Sequence, residues 1–412
     1  MFSGRPEPIE ALLAFLAAAI LAWLLVPLAE RLARRVGAID YPNERSIHVE
    51  PTPKLSGLAI LVAILAGGLI FLPHVSLTIS VLAGAVVIAL VGVVDDIWDL
   101  PPALKLAGQA VAASIPVFNG VQVANFTVPF FGRVDLASVD LFTVPVVDEV
   151  HLGQVLTIIG IVAVINVINL IDGVDGLAAG VCLISAGALA IVAVSLDRTS
   201  AGVLAALTAG GALGFLRHGF PPASSFMGDT GSNLLGYLLG VIAVQGAVKT
   251  NAVVALFLPL FILAVPILDT GFVVAKRLKY RRPIYRADRW HFHHRMANIG
   301  FSQRRTVTYL YGWMLATAGL AVALRFVPYS DGSGRLRPGW ALLMAALFLV
   351  VVAASVYLVF VLEILKFRRL DAIRLRRMRP DATEADIDAD VEERLETGEF
   401  EAVRRTEDFP AV

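Results

Sequence analysis

Eleven apolar runs constrain this chain more than any other feature. They cover residues 8–28, 55–73, 77–94, 103–119, 152–171, 176–196, 199–217, 231–248, 251–274, 306–326 and 339–365. A helix that crosses a bilayer needs about 20 mostly apolar residues. The runs therefore predict an all-α integral membrane protein, a polytopic bundle of about 11 transmembrane helices. Composition agrees, with 57% hydrophobic and 17% charged residues against roughly 25% charged in soluble domains. The run at 103–119 is the weakest, being short and carrying Lys105 and Gln109. The first run lacks a basic leader and a small-residue cleavage site, which predicts a retained helix. Cys182 is the single cysteine, so no disulfide forms within the chain, and its place in an apolar run predicts a packing role.

The net charge is zero, but lysine and arginine sort by loop. Segments 29–54, 275–305 and 366–379 hold five, ten and seven basic residues, whereas 119–151, 197–199, 249–251 and 327–338 hold one, one, one and two. Basic loops face the cytoplasm, which predicts an outside N-terminus and a cytoplasmic C-terminus, as an odd number of spans requires. The outer loop 119–151 is rich in β-branched and aromatic residues and predicts a small external β-hairpin. Residues 1–366 form the expected transmembrane catalytic domain and 367–412 a basic-then-acidic cytoplasmic tail. After Pro380 the tail carries twelve acidic residues against three arginines, and a loose helix or disorder is expected there.

With this topology the unusual polar clusters fall on the cytoplasmic side. Asp95 and Asp96 close the third run, and adjacent carboxylates suit a hard divalent cation shared with substrate phosphates. Asn166, Asn169, Asp172 and Asp175 join the fifth run to the sixth. On a helix their spacing of three would put them on one face, and Gly173 and Gly176 also permit a tight turn. Asparagines there could simply bond neighbouring helices, but unpaired carboxylates are expensive in a membrane. Asp229 precedes the eighth run, where Thr230 or Ser232 could cap the helix and its first N–H groups could receive phosphate. His291, His293, His294 and Arg295 follow the ninth run. Without cysteine, and with two adjacent histidines, they suit anion recognition better than zinc. Arg45, His48 and Lys54, set among prolines, could hold a phosphate at the interface. Carboxylates for a metal and cations for phosphates point to phosphoryl transfer between a soluble and a lipid phosphate. The rival from another class, an ion-coupled transporter, would place its acids near the bilayer midplane, reached from both sides.

In order along the chain, Asp40 to Gly57, Gly92 to Gln109, Asn166 to Gly180, Phe226 to Gly236 and the His291-Phe292-His293-His294 element resemble the polyprenyl-phosphate N-acetylhexosamine-1-phosphate transferases, most closely the branch that uses UDP-GlcNAc. The muramoyl-pentapeptide branch usually shows three consecutive histidines. Here the first motif also reads Arg45-Ser46 and Ser56-Gly57 where the family has Arg-Lys and Gly-Gly. The Asp-Gly-x2-Ala-Arg pattern of alcohol phosphatidyltransferases is absent after Asp172. The resemblance implies transfer of GlcNAc-1-phosphate from UDP-GlcNAc to a polyprenyl phosphate with release of UMP, an opening step of envelope glycopolymer synthesis. Another UDP-N-acetylhexosamine or UDP-MurNAc-pentapeptide is the alternative donor. It implies Mg²⁺ (or Mn²⁺), a plasma-membrane location, a cytoplasmic site, no nucleic-acid partner, and room for a homodimer. It gives Asp95, Asp96, Asp172 and Asp175 catalytic places, with Asp95 accepting a proton from the attacking phosphate, and makes Asp229 the metal ligand. Substrate binding falls to Lys54, Arg45, His48, Asn166, Asn169, His291, His293, His294 and Arg295.

Overall fold

The computed structural model describes residues 8–42, 50–128, 132–144, 148–247, 262–279, 292, 296, 301–331, 335–361, 375–376, 379, 383–387 and 389–390. Its helices are α1 (Pro8–Val36), α2 (Gly57–Phe71), α3 (Ser76–Trp98), α4 (Pro102–Val117), α5 (Leu152–Ile171), α6 (Leu177–Ser195), α7 (Thr199–Gly219), α8 (Gly228–Ala247), α9 (Ala264–Lys279), α10 (Gln303–Phe326) and α11 (Pro338–Val361). Among the described residues, α1, α3, α5, α6, α7, α10 and α11 are long and apolar enough to cross a membrane. The protein is mostly helical and polytopic. By contacts the chain divides into Met1–Ile267 with Met314–Val327, and Leu268–Trp313 with Pro328–Val412.

In the first unit helices meet through small residues. One stripe of α1 (Ala11, Ala14, Ala18, Ala22, Val26, Ala29, Ala33) is buried, while Leu12, Leu16, Ile20, Leu24 and Leu28 are exposed. The buried side is thus less bulky than the exposed one, as expected where lipid tails solvate leucine and close backbone approach drives association. Gly210 and Gly214 of α7 supply that approach, resting on the carbonyls of Phe15 and Ala19. Helix α8 is central, in contact with α2, α3, α5, α6 and α7. Its buried Tyr237 donates its hydroxyl to the Val81 carbonyl at 2.9 Å. Gly84 of α3 leaves room for that ring, and Gly236 lets α8 lie against Ile165 of α5.

Short antiparallel pairs link the helices. β1 (Ile39–Asp40) pairs with β2 (Thr52–Pro53), aligning Asp40 with Thr52. In place of one outer hairpin the 119–151 loop forms two, β3 (Asn125–Val128) with β4 (Gly132–Asp135) and β5 (Asp140–Val144) with β6 (Asp148–His151). In the second unit α11 is largely exposed, and Trp313 donates its indole N–H to the Ser355 hydroxyl at 2.8 Å.

Candidate active site

The N-terminus of α8 is held from outside its own segment. Asp96, in the last turn of α3, accepts the backbone N–H of Asp229 at 2.9 Å and of Thr230 at 3.0 Å, and the Thr230 hydroxyl at 2.7 Å. A carboxylate there satisfies orphan donors and opposes the positive end of the helix dipole. The expected cap from Thr230 or Ser232 is therefore replaced by Asp96, which takes two of the N–H groups expected for phosphate. The approach demands glycine. Gly92 lies on the backbone of Thr230, and Gly228, at φ +66°, lies on the Lys54 carbonyl and the Asp96 carboxylate, so a Cβ at either position would overlap them. Segment 53–57 completes the frame, with Phe226 N–H donating to the Pro53 carbonyl and Ser56 N–H to the Phe226 carbonyl. Ser56 shares a 2.5 Å hydrogen bond with Ser225.

Above this cap lies a charged layer contributed by four helices. Lys105 of α4 stands between Asp95 at 2.7 Å and Asp229 at 2.6 Å. Asn169 of α5 donates to the other oxygen of Asp229 and to the Ser232 hydroxyl. Asp95 also accepts the Leu100 N–H at 2.7 Å. One helical turn deeper the same α4, α5 and α8 present Gln109, Asn166 and Asn233. The Asn166 amide donates to Gln109 at 2.7 Å, and Gln109 reaches Asn233 at 3.4 Å. Spacings of four (105 and 109, 229 and 233) and three (166 and 169) stack the layers because such residues share a helix face. Asn166 thus sits in the interhelical amide layer rather than against the cavity. Lys105 and Gln109, which fall inside the stretch Gly92 to Gln109 but carry no assigned role in the sequence reading, are members of the site. Their signal was that same four-residue spacing.

Asp172 and Asp175 lie in the turn between α5 and α6, not on a helix. Asp175 accepts the Ala223 N–H at 3.0 Å and so pins the segment before α8. The Asp172 N–H donates to the Asn169 carbonyl at 3.2 Å, while its carboxyl makes no hydrogen bond or ion pair among the described residues. It faces a cavity of about 320 Å³ lined also by Asp40, Lys54, Asp96, Asn169, Asp175, Phe215, Phe226 and Asp229. Burial, then the nearby carboxylates of Asp229, Asp96 and Asp175, push the Asp172 carboxyl well above the usual range. Five aspartates against one lysine make a cavity that repels phosphate until a cation neutralises it. Among the described residues no three carboxylate, imidazole or thiolate groups form a protein-only metal cage. One or two carboxylates sharing a cation with substrate phosphates is the donor set that Mg²⁺ prefers, and Asp229 with Asp172 fits it. Arg45, His48, His291, His293, His294 and Arg295 lie outside the described residues.

Residues 78–247 match the model of glycosyl transferase family 4. The chain is 32% identical over 320 residues to a probable undecaprenyl-phosphate N-acetylglucosaminyl 1-phosphate transferase of Bacillus subtilis, covering 76% of this chain and 85% of that protein. It is 34% identical over 353 residues to a decaprenyl-phosphate N-acetylglucosaminephosphotransferase of Mycobacterium leprae, covering 79% and 86%. A phospho-N-acetylmuramoyl-pentapeptide-transferase of Desulforudis audaxviator is 32% identical over 352 residues, covering 77% and 98%.

Proposed function

The chain belongs to glycosyl transferase family 4, and from that membership we propose that it transfers N-acetylglucosamine-1-phosphate from UDP-N-acetylglucosamine to a polyprenyl phosphate, releasing UMP. The carboxylate-lined cavity at the start of α8 carries the reading, because its acids would hold a divalent cation to neutralise a diphosphate. An oxygen of the lipid phosphate bonds to the phosphorus that bears the sugar, and the bond from that phosphorus to UMP breaks. The sugar's anomeric bond is untouched.

Asp229, with Asp172 lining the same cavity, would hold Mg²⁺ or Mn²⁺, which would supply charge neutralisation for the phosphates. Lys105 and Asn169 orient the Asp229 carboxylate by engaging its two oxygens. Asp96 fixes the backbone of Asp229, and Asp95, held by Lys105 and the Leu100 N–H, accepts the attacking phosphate's proton. Asp175 sets the loop that carries Phe226, whose ring with Phe215 gives the cavity its aromatic wall. Lys54, with Arg45 and His48, draws in the lipid phosphate. Asn169 contacts the nucleotide, while Asn166 ties α5 to α4 through Gln109 one turn deeper. His291, His293, His294 and Arg295 bind the diphosphate and sugar. The helical bundle spans a plasma membrane about eleven times, with the N-terminus outside and the site at the cytoplasmic face.

The test is UMP release by purified protein given polyprenyl phosphate, Mg²⁺ and a panel of UDP-sugars. Release with UDP-GlcNAc above the others is expected. Silence with every donor would sink the transferase reading, and preference for the muramoyl-pentapeptide nucleotide would overturn the branch.

A further inference from the structure

Asp269 belongs to none of the motifs above, yet it is a buried carboxylate, 4% exposed, in the apolar helix α9. Such a group is costly to keep in a membrane helix without a task. Its Oδ1 accepts the backbone N–H of Phe292, twenty-three residues along the chain, at 2.8 Å. Phe292 is the residue between His291 and His293. Its own ring is 2% exposed and stacks on Trp313, centroids 5.5 Å apart and planes 20° apart. Trp313 is in turn tied to Ser355. Met296, four residues on and also helical, is buried as well. The element is therefore nailed at one backbone atom and one ring. The anchors at 292 and 296 bracket His293 and His294 in sequence, and His291 directly precedes the first anchor.

We propose that Asp269 is a positioning residue for the histidine element: it fixes the backbone at Phe292 against α9, while the Phe292 ring locks that register on Trp313. A carboxylate suits the task because a charge-assisted bond to a buried N–H is stronger than a neutral one. The consequence for UDP-GlcNAc rests on the donor-binding role proposed above for the histidines. The anchoring itself does not.

The experiment measures hydrogen exchange of the 288–297 peptide in the full-length protein, purified in detergent, together with KM for each substrate. In Asp269→Leu the peptide should exchange about 10- to 100-fold faster, the worth of one hydrogen bond to a charged acceptor. Asp269→Asn, which keeps a neutral acceptor, should rescue most of that protection. The KM for UDP-GlcNAc should rise about tenfold in Asp269→Leu, that for polyprenyl phosphate should move less than about twofold, and Asp269→Asn should fall between. Unchanged exchange in Asp269→Leu would overturn the anchor. If Asp269→Leu does not fold, Asp269→Asn alone decides: exchange a few-fold faster supports the anchor and wild-type exchange overturns it. If the wild-type protein turns over no UDP-sugar, the functional reading fails while the exchange result still judges the anchor.

Discussion

Replacing Lys105 by methionine keeps the length of the side chain and removes the one charge that separates Asp95 from Asp229. Both carboxylates lie within 2.7 Å of its ammonium, so their nearest oxygens are about 5 Å apart or less. Two unit charges at that separation repel by about 3 kcal/mol at an effective dielectric of about 20. Removing one partner of a buried pair costs about 3–5 kcal/mol, and the partial exposure of Lys105 and Asp229 favours the lower end. Lys105→Met should therefore lose about 3 kcal/mol in denaturation of metal-free protein in mixed micelles. Two further measurements separate this account from lost packing. Saturating Mg²⁺, drawn to Asp229, should restore part of the stability, and Asp95→Asn in the Lys105→Met background should restore about half or more of it. A double variant no more stable than Lys105→Met would refute the claim that Lys105 acts as the counterion of two carboxylates.

Gly228→Ala places a methyl group on the Lys54 carbonyl and the Asp96 carboxylate at a positive φ, and should lose more than about 2 kcal/mol together with all UMP release, measured on protein that still elutes as a folded species. Gln109→Leu leaves Asn166 and Asn233 without their amide partner and should cost about 1–3 kcal/mol, with KM for either substrate within about twofold of wild type; a large KM change would move this layer into the binding site. Asp172, whose carboxyl is raised by burial and by neighbouring carboxylates, stabilises the metal-free fold in its neutral form. That contribution is whole below the unfolded value of about 3.9 and is lost as pH rises through the higher folded value. The melting temperature of metal-free wild type should thus fall with rising pH across that window and Asp172→Asn should be flatter; parallel profiles would contradict the assignment.

The gathering of acids was legible because it is a property of position. Asp95, Asp96, Asn169, Asp172, Asp175 and Asp229 all stand at ends of apolar runs, and the structure gathers Asp96, Asn169, Asp172, Asp175 and Asp229 around one cavity, with Asp95 joined to Asp229 through Lys105. What each side chain grips was not legible, since every decisive bond is non-local. Asp96 and Asp229 are 133 residues apart, Lys105 and Asp229 are 124 apart, and no local spacing rule reaches across such distances. Lys105 and Gln109 suffered most, because polar residues in an apolar run lower its score as a span and so look like defects. Helix faces were hard to read for the opposite reason. In α1 the leucines face out and the alanines face in, the reverse of the rule for soluble proteins.

In the proposed reaction phosphate travels with the sugar, so the identity of the co-product decides between this transfer and a simple glycosyl transfer. Purified protein incubated with UDP-GlcNAc, polyprenyl phosphate and Mg²⁺ should yield one UMP for each lipid-linked product, whose mass is that of polyprenyl-diphospho-GlcNAc, and Asp229→Asn should yield neither. Release of UDP with a lipid lacking the second phosphate, or full turnover by folded Asp229→Asn, would contradict the account.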